Sequence, residues 1–174
     1  ITVLMANYGA HFVNDVNSYL WQQLQNAGLM NASNYYANGI DAPLIPIIPS
    51  QQVPEFNNLL PGKPYIIYEN NTLAVNPMWL ISHDMVYYMI VSTDYDFINS
   101  VIELMVDLFR RYDDAATDMT GYKTSILSNN FDFKYSMIES TQSPSPMKSE
   151  GGLRVGHATI MFCYVRHVDS NGRF

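Results

Sequence analysis

The sequence contains four histidines, which could act in acid–base catalysis or bind a metal ion, but their spacing argues against both roles. They are His11, His83, His157 and His167. No two of them stand four residues apart, the spacing that places two zinc ligands on one face of a helix. His83 is followed by Asp84, but neighbouring residues of a strand point to opposite faces of a sheet. The pattern therefore predicts a histidine on a strand surface rather than a catalytic pair.

Two clusters of aspartates consist of residues that could bind a cation. Asp94 and Asp96 resemble a carboxylate pair that holds a divalent ion, but they stand where a helix is predicted to begin. Acidic side chains at that position accept hydrogen bonds from free amides and favour the helix dipole. The second group, Asp113, Asp114 and Asp118, lacks the ligand spacing of a calcium loop. We interpret the first group as a helix cap and the second as a solvated acidic edge that faces a partner.

The remaining catalytic motifs are weak or absent. Cys163 is the only cysteine, which excludes an intrachain disulfide and a cysteine-based zinc site. It lies in an apolar segment, which is typical of a buried thiol. Gly151, Gly152 and Gly156 have the wrong spacing for a phosphate-binding loop, and no G-x-S-x-G sequence occurs. The sequence therefore predicts no catalytic residue, no metal site and no cofactor, and a protein that is not an enzyme.

Charge is scarce and mostly negative. Only 14% of the 174 residues are charged, against about 25% in typical proteins, and 9 basic residues face 16 acidic ones for a net charge of −7. The only basic doublet, Arg110-Arg111, is followed by two aspartates. Direct binding to nucleic acid is therefore not expected, since it needs clustered Lys and Arg. The longest apolar run, 85–91, is far below the roughly 20 residues of a membrane-spanning helix, so no membrane partner is expected.

The elements that must position these residues follow from hydrophobic periodicity. Apolar residues recur at helical spacing in two segments and fill short β-rich segments in four others. Gly28 stands where a C-cap glycine belongs, and Asn70-Asn71 indicates a turn after the first strand. The polar residues 82–84 suggest a bulge or an exposed stretch within the second strand. The predicted helices are 10–27 and 94–112, and the predicted strands are 65–69, 79–91, 131–137 and 154–168.

Two segments fall outside this pattern. Residues 29–64 hold six of the nine prolines, interleaved with apolar residues. We predict an ordered, extended arm that lies on its own domain or on a neighbouring subunit, with a flexible linker as the alternative. Residues 141–152 contain Ser-Pro-Ser-Pro and Gly-Gly and predict a long, mobile hairpin loop.

The predicted fold is α+β in a single domain, 1–174. It consists of one mostly antiparallel sheet of about four strands, two main helices on one face of the sheet, and the long proline-rich arm. No internal repeat and no break in composition divides the chain.

The surplus of 13 Tyr and 10 Met exceeds what one small core needs. Aromatic residues and Met are enriched at subunit interfaces, where Lys and Glu are depleted. We therefore predict that the arm and the hairpin loop form subunit interfaces, although tyrosines that simply fill strand faces remain an alternative. The predicted interface residues are Leu44, Ile47, Val53, Phe56, Pro144, Pro146 and Met147.

The layout of several segments resembles a known family. The arm over 44–56 runs into the strand 64–68, the helix 97–112 ends in the sequence DLFRRYD, and the stretch 141–152 leads to the last strand. Together these segments look like the small neck proteins of contractile-tailed bacteriophages, especially tail-terminator-like proteins. The resemblance extends over most of the chain and includes no short diagnostic motif.

The resemblance implies a ring, usually a hexamer, that caps the tail tube and presents a docking face to the head connector. Its partners would be copies of itself, tail tube and sheath proteins, and neck or head-connector proteins. DNA would pass through an acidic lumen without specific binding. Such proteins are structural, carry no obligatory cofactor, assemble in the host cytoplasm and belong to the tail and neck of the virion.

Other interpretations remain. The long arm also suits a head–tail adaptor or a sheath-capping neck protein. A small enzyme would use His83 or His157 as acid or base in a pocket between sheet and helices. A soluble binding module would contact its ligand through the Ser-Pro loop.

Overall fold

The chain builds a mixed five-stranded sheet in the computed structural model, which describes residues 11–76, 81–109, 126, 128–146 and 152–166. The strand order is β1-β2-β3-β5-β4, with β1 parallel to β2 and the other neighbouring strands antiparallel. Three α-helices accompany it among these residues. The elements are α1 (Phe12–Asn26), β1 (Ile47–Pro49), α2 (Val53–Leu59), β2 (Tyr65–Asn76), β3 (Ile81–Ser92), α3 (Tyr95–Phe109), β4 (Phe131–Pro146) and β5 (Arg154–Arg166).

Local signals define both long helices. Helix α1 ends before Gly28, whose φ of 73° is readily adopted only by glycine, and the Leu29 N–H donates to the Leu24 carbonyl at 3.0 Å. At the start of α3, Asp94 Oδ1 accepts hydrogen bonds from the N–H groups of Asp96 (3.0 Å) and Phe97 (3.3 Å). The predicted C-cap glycine and the predicted capping role of Asp94 are both confirmed.

Helices α1 and α3 pack on the same face of the sheet. The Tyr88 hydroxyl on β3 donates to Asn17 Oδ1 on α1 at 2.8 Å. Ser136 on β4 donates to the carbonyl of Phe109, the last residue of α3, at 3.3 Å. On β5, Gly156 leaves room for α3, because a Cβ there would lie 2.5 Å from Ile98 Cγ2. This face and the two helices enclose the core.

The arm contains more regular structure than was predicted. Within it, β1 adds a fifth, parallel strand and α2 a third helix, joined by a 3₁₀ turn at Ser50–Gln52. The prediction of about four strands and two helices is therefore incomplete. The prolines are accommodated: Pro49 ends a strand at the sheet edge, and Pro54 lies in the first turn of α2, where N–H groups lack intrahelical partners.

Strands β2 and β4 extend farther than was predicted. The predicted turn at Asn70-Asn71 is wrong, because β2 continues through it with Asn71 opposite Met85. The predicted loop over 141–152 is wrong for its first half, because β4 runs to Pro146, opposite Arg154 on β5. Residues 147–151 lie outside the described part of the chain. Pairing with a neighbouring strand satisfies backbone groups that local sequence assigns to turns.

Candidate functional site

The face of the sheet opposite α1 and α3 is the largest candidate site. Because side chains alternate along a strand, pairing places every second residue of β2, β3, β5 and β4 on this face. Cys163, Tyr65 and Val91 are buried on this face, and its other side chains in the rows given below are half-buried or exposed. We call it the open face. Its four rows across the strands are His83–Cys163–Tyr135, Asn71–Met85–Met161–Met137, Glu69–Tyr87–Thr159–Ser140 and Ile67–Met89–His157–Gln142.

Methionine dominates the centre of the open face. Met85, Met161 and Met137 stand side by side on three adjacent strands, and Met89 lies two rows away. Unbranched, polarisable Met side chains adapt to irregular surfaces and are common at protein-binding sites. The one acidic residue in the four rows, Glu69, is at an exposed outer position. The open face is therefore suited to contact another protein surface and poorly suited to bind an ion.

One polar contact lies at the end of the open face. His83 Nε2 and the Tyr135 hydroxyl are 3.1 Å apart, and Cys163 lies between their strands. Burial raises the pKa of the Cys163 thiol, while a hydrogen bond with Tyr135 and the charge of Lys134 offset part of that rise. A raised thiol pKa disfavours the nucleophilic thiolate. The thiol is buried, as predicted.

Asp84 lies on the helix-covered face, opposite in direction to His83. It is 3% exposed, and the Tyr164 hydroxyl donates to its Oδ2 at 2.5 Å, while Oδ1 has no partner. The prediction that His83 and Asp84 cannot orient one another is confirmed. The suggestion that 82–84 is an exposed stretch is wrong for Asp84, because α1 packs over this end of β3 and β5 through Phe12, which stacks on Tyr164 at 4.5 Å.

The second histidine of this face is far from the first. His157 is six residues along β5 from Cys163, which pairs with His83, so His83 and His157 are roughly 20 Å apart. They cannot act on one bound molecule as an acid–base pair. Within the described ranges, no group of three or more His, Cys, Asp or Glu residues could hold a metal ion. His167 and the aspartates at 113, 114 and 118 lie outside those ranges.

The predicted interface residues fall into three groups. Ile47 and Phe56 are buried in this chain's own core, where Phe56 packs against Tyr35 and Tyr65. Their apolar surface is thus covered without a partner. Leu44 and Val53 are half-buried, and Pro144 is buried on β4. Pro146 is the last residue of β4, and Met147 lies outside the described residues.

The arm nevertheless presents apolar surface through neighbouring residues. Tyr36, Ile40, Ile45 and Leu59 are 50%, 37%, 45% and 39% exposed, and we call them the arm patch. Beside Ile45 and Leu59 runs a groove of about 490 Å³, which Leu44 and Tyr68 also line. Tyr68 belongs to the helix-covered face, whereas Ile48, which also lines the groove, pairs with Ile67 of the open face, so the groove lies at the β1 edge of the sheet.

The two edges of the sheet are protected against strand addition. β1 has only three residues and ends in Pro49. β4 is long, but its pairing with β5 is interrupted at three register shifts, and it carries the exposed ion pair Asp132–Lys134. Short strands, prolines, bulges and charges are the devices that prevent edge-to-edge pairing.

The sequence did not reveal the open face, because strand pairing brings its residues together. The one available signal was the excess of Met and Tyr, which we attributed to interfaces in the arm and the hairpin loop rather than on a face of the sheet. Comparison with known proteins adds no family: no model of a known protein family matches the chain, and no curated protein matches it significantly. No helix among the described residues is long and apolar enough to cross a membrane.

Proposed function

We propose that this protein is a structural subunit that works by assembling with copies of itself, as a tail-terminator-like ring in the neck of a contractile-tailed phage. The ring would cap the tail tube, join the tail to the head connector and let DNA pass without binding it. The phage assignment depends on the sequence resemblance. The structural role rests on the surfaces of the molecule.

The open face is the observation that carries the proposal. It spans four strands, its one acidic side chain, Glu69, is at an outer position, and three methionines stand side by side in one row. Surfaces rich in Met are common at protein-binding sites. Among the described residues, the groups that could do chemistry are separated or buried, so a surface for assembly is the best-supported function.

Charge supports the same proposal. The net charge of −7 disfavours adhesion to DNA, while the scarcity of charge in the arm and on the open face lowers the desolvation penalty of protein contact. A head–tail adaptor or a sheath-capping protein would use the same surfaces, and the position of the protein in the particle separates these roles.

Two measurements test the proposal. Light scattering and negative-stain electron microscopy of the purified chain should reveal closed rings. Antibody labelling of the phage particles that carry the chain should mark the junction between tail tube and head connector. Antibody label that is found only at the end of the sheath would instead favour the sheath-capping role. A gene that lies away from any tube or sheath gene, together with unlabelled particles, would contradict the phage assignment.

A further inference from the structure

We propose that Asn38 is a site of spontaneous covalent modification, at which the side-chain amide is lost as ammonia through a cyclic imide formed with Gly39. The product is a mixture of aspartyl and isoaspartyl residues at this position. The reaction needs no enzyme and no partner, so it is independent of the proposed function.

The dipeptide Asn38-Gly39 contains both reacting groups. The carboxamide carbon of an asparagine can be attacked by the backbone nitrogen of the next residue, which closes a five-membered ring. A side chain on that next residue crowds the nitrogen, and glycine has none. The chain contains one other Asn-Gly pair, Asn171-Gly172, which lies outside the described residues. Asn38 is therefore the described asparagine whose neighbour hinders the attack least.

The backbone of this dipeptide forms a β-turn. The Ile40 N–H donates to the Ala37 carbonyl at 3.2 Å, which places Asn38 and Gly39 at the two central positions. Gly39 has a φ of 82°, the conformation that favours glycine at the third residue of such a turn. Within the described part of the chain, neither the Gly39 N–H nor the Asn38 side chain makes a hydrogen bond. Both reacting groups are thus free of other contacts.

Solvent surrounds the turn. Asn38 and Gly39 are exposed, and Tyr36 and Ile40 beside them are 50% and 37% exposed. A Cβ built on Gly39 would meet no atom within 4 Å beyond its chain neighbours, so the space around the attacking nitrogen is open. One backbone hydrogen bond closes the turn, and an exposed turn of this kind opens at little cost in free energy. The backbone can therefore rotate toward ring closure, and water can reach the imide.

The reaction balances without an oxidant or a reductant. The Gly39 nitrogen bonds to Asn38 Cγ, the Cγ–Nδ2 bond breaks, and Nδ2 leaves as ammonia with the proton of the attacking nitrogen. Water then cleaves one of the two bonds from the imide nitrogen to a carbonyl carbon. Cleavage at Cγ gives an aspartyl residue, and cleavage at the main-chain carbonyl carbon gives an isoaspartyl residue. Base accelerates ring closure, because it removes the proton of the attacking nitrogen.

The modification changes the surface of the arm. The arm, 29–64, contains two acidic residues and one basic residue, so a new carboxylate changes its net charge from −1 to −2. The new charge would lie between Tyr36 and Ile40, two members of the arm patch. The chain before and after the turn is tied together, because the Leu44 N–H donates to the Tyr35 carbonyl at 2.9 Å. The change is therefore confined to an exposed loop.

Incubation of the folded chain at mildly alkaline pH tests the proposal. Peptide mapping by mass spectrometry should show conversion of Asn38 to both aspartyl and isoaspartyl products. Asn34 is an internal control, since it is also exposed but precedes the bulky Tyr35, and it should keep its amide over the same period. Asn38→Gln is the matched variant: it retains a side-chain amide but cannot close a five-membered ring, so this position should stay unmodified.

A parallel incubation in urea separates the effect of the fold from that of the dipeptide. In the unfolded chain, the rate at Asn38 depends on the local sequence alone. We expect a rate of the same order of magnitude in the folded chain, because the exposed turn restrains the reacting groups little.

Three results would overturn the proposal. Asn38 that reacts in urea but keeps its amide in the folded chain would show that the turn protects it. An aspartyl product without any isoaspartyl product would indicate direct hydrolysis rather than a cyclic imide. Conversion of Asn34 as fast as that of Asn38 would show that exposure, and not the Asn-Gly turn, determines the site.

Discussion

The two faces of one sheet have different compositions, although the same strands supply both. The helix-covered rows contain Val86, Ile160 and Phe162, which are fully buried. The open rows contain Met and Tyr side chains that are only half-buried. Branched residues and Phe suit a rigid, close-packed interior, whereas half-buried Met and Tyr side chains are common at surfaces that contact another protein. The difference indicates that one face stabilises the subunit, and it supports the proposal that the other contacts a partner.

The largest expected loss of stability is that of Phe162→Ala, and Met161→Ala at the neighbouring position provides the comparison. Phe162→Ala removes a buried ring that packs against Phe12, Phe109 and Phe133, and it should lower the free energy of unfolding by about 3–5 kcal/mol. Met161→Ala should lower it by under about 1 kcal/mol, because its side chain is partly solvated. Urea unfolding of the monomer measures both values. Equal losses for the two variants would mean that the open face is part of the folded core.

The next loss of stability is expected at Gly156 on β5, where α3 lies against the sheet. A Cβ at Gly156 would lie 2.5 Å from Ile98 Cγ2 and 2.9 Å from Ile102 Cδ1. Gly156→Ala should therefore destabilise the chain by roughly 1–3 kcal/mol through overpacking. The double variant Gly156→Ala/Ile102→Val, which removes the clashing Cδ1 of Ile102, should recover part of the loss if steric contact is the cause. Thermal unfolding of the three chains tests this, and no recovery would contradict the steric explanation.

A smaller loss of stability is expected for Tyr88→Phe. Tyr87, on the opposite face of β3, provides the comparison. Tyr88→Phe removes the hydrogen bond to Asn17, which is 7% exposed, and should lower the free energy of unfolding by about 1–2 kcal/mol. Tyr87→Phe on the open face should change it by under about 0.5 kcal/mol. Chemical unfolding at neutral pH measures both losses.

The decline of stability at alkaline pH provides a second test of the role of Tyr88. Burial, and secondarily Tyr68, raise the pKa of Tyr88 above its ordinary value of 10. Above pH 10 the unfolded chain loses this proton while the folded chain keeps it, so stability should decline as pH rises beyond 10. Burial likewise raises the pKa of Tyr35 to about 12, which adds to the decline between pH 10 and 12. The decline should be shallower in Tyr88→Phe, and an unchanged slope would contradict this assignment.

The smallest loss of stability is expected at Asp94, the N-terminal cap of α3. Asp94→Ala removes the acceptor for the Asp96 and Phe97 amides and should lower the free energy of unfolding by about 1 kcal/mol. Asp94→Ser, which retains a capping oxygen, should restore most of it. Hydrogen exchange should show the change at the start of α3. A similar loss in both variants would favour a general charge effect over capping.

Local patterns predicted the helices well and the strand ends poorly. The period of α1 and α3, Gly28 and Asp94 are properties of a few consecutive residues, so the sequence contains them completely. The extension of β2 through Asn70-Asn71 depends on pairing with β3, and β1 depends on hydrogen bonds such as that from the Ile66 N–H to the Pro46 carbonyl. The open face was not predicted, since the excess of Met and Tyr was attributed to the arm and the hairpin loop. Two of the predicted interface residues, Ile47 and Phe56, are buried within this chain.

The low charge, the α+β composition and the two long helices could be predicted from the sequence, because each follows from composition or short-range periodicity. Which residues share a face of the sheet depends on the three-dimensional pairing of the strands. Register aligned Met85, Met161 and Met137 in one row, placed Asp84 beneath α1, and turned part of the proline-rich arm into an edge strand. The physical reason is that a one-residue change in register would move every side chain to the other face, and register depends on contacts between distant parts of the chain.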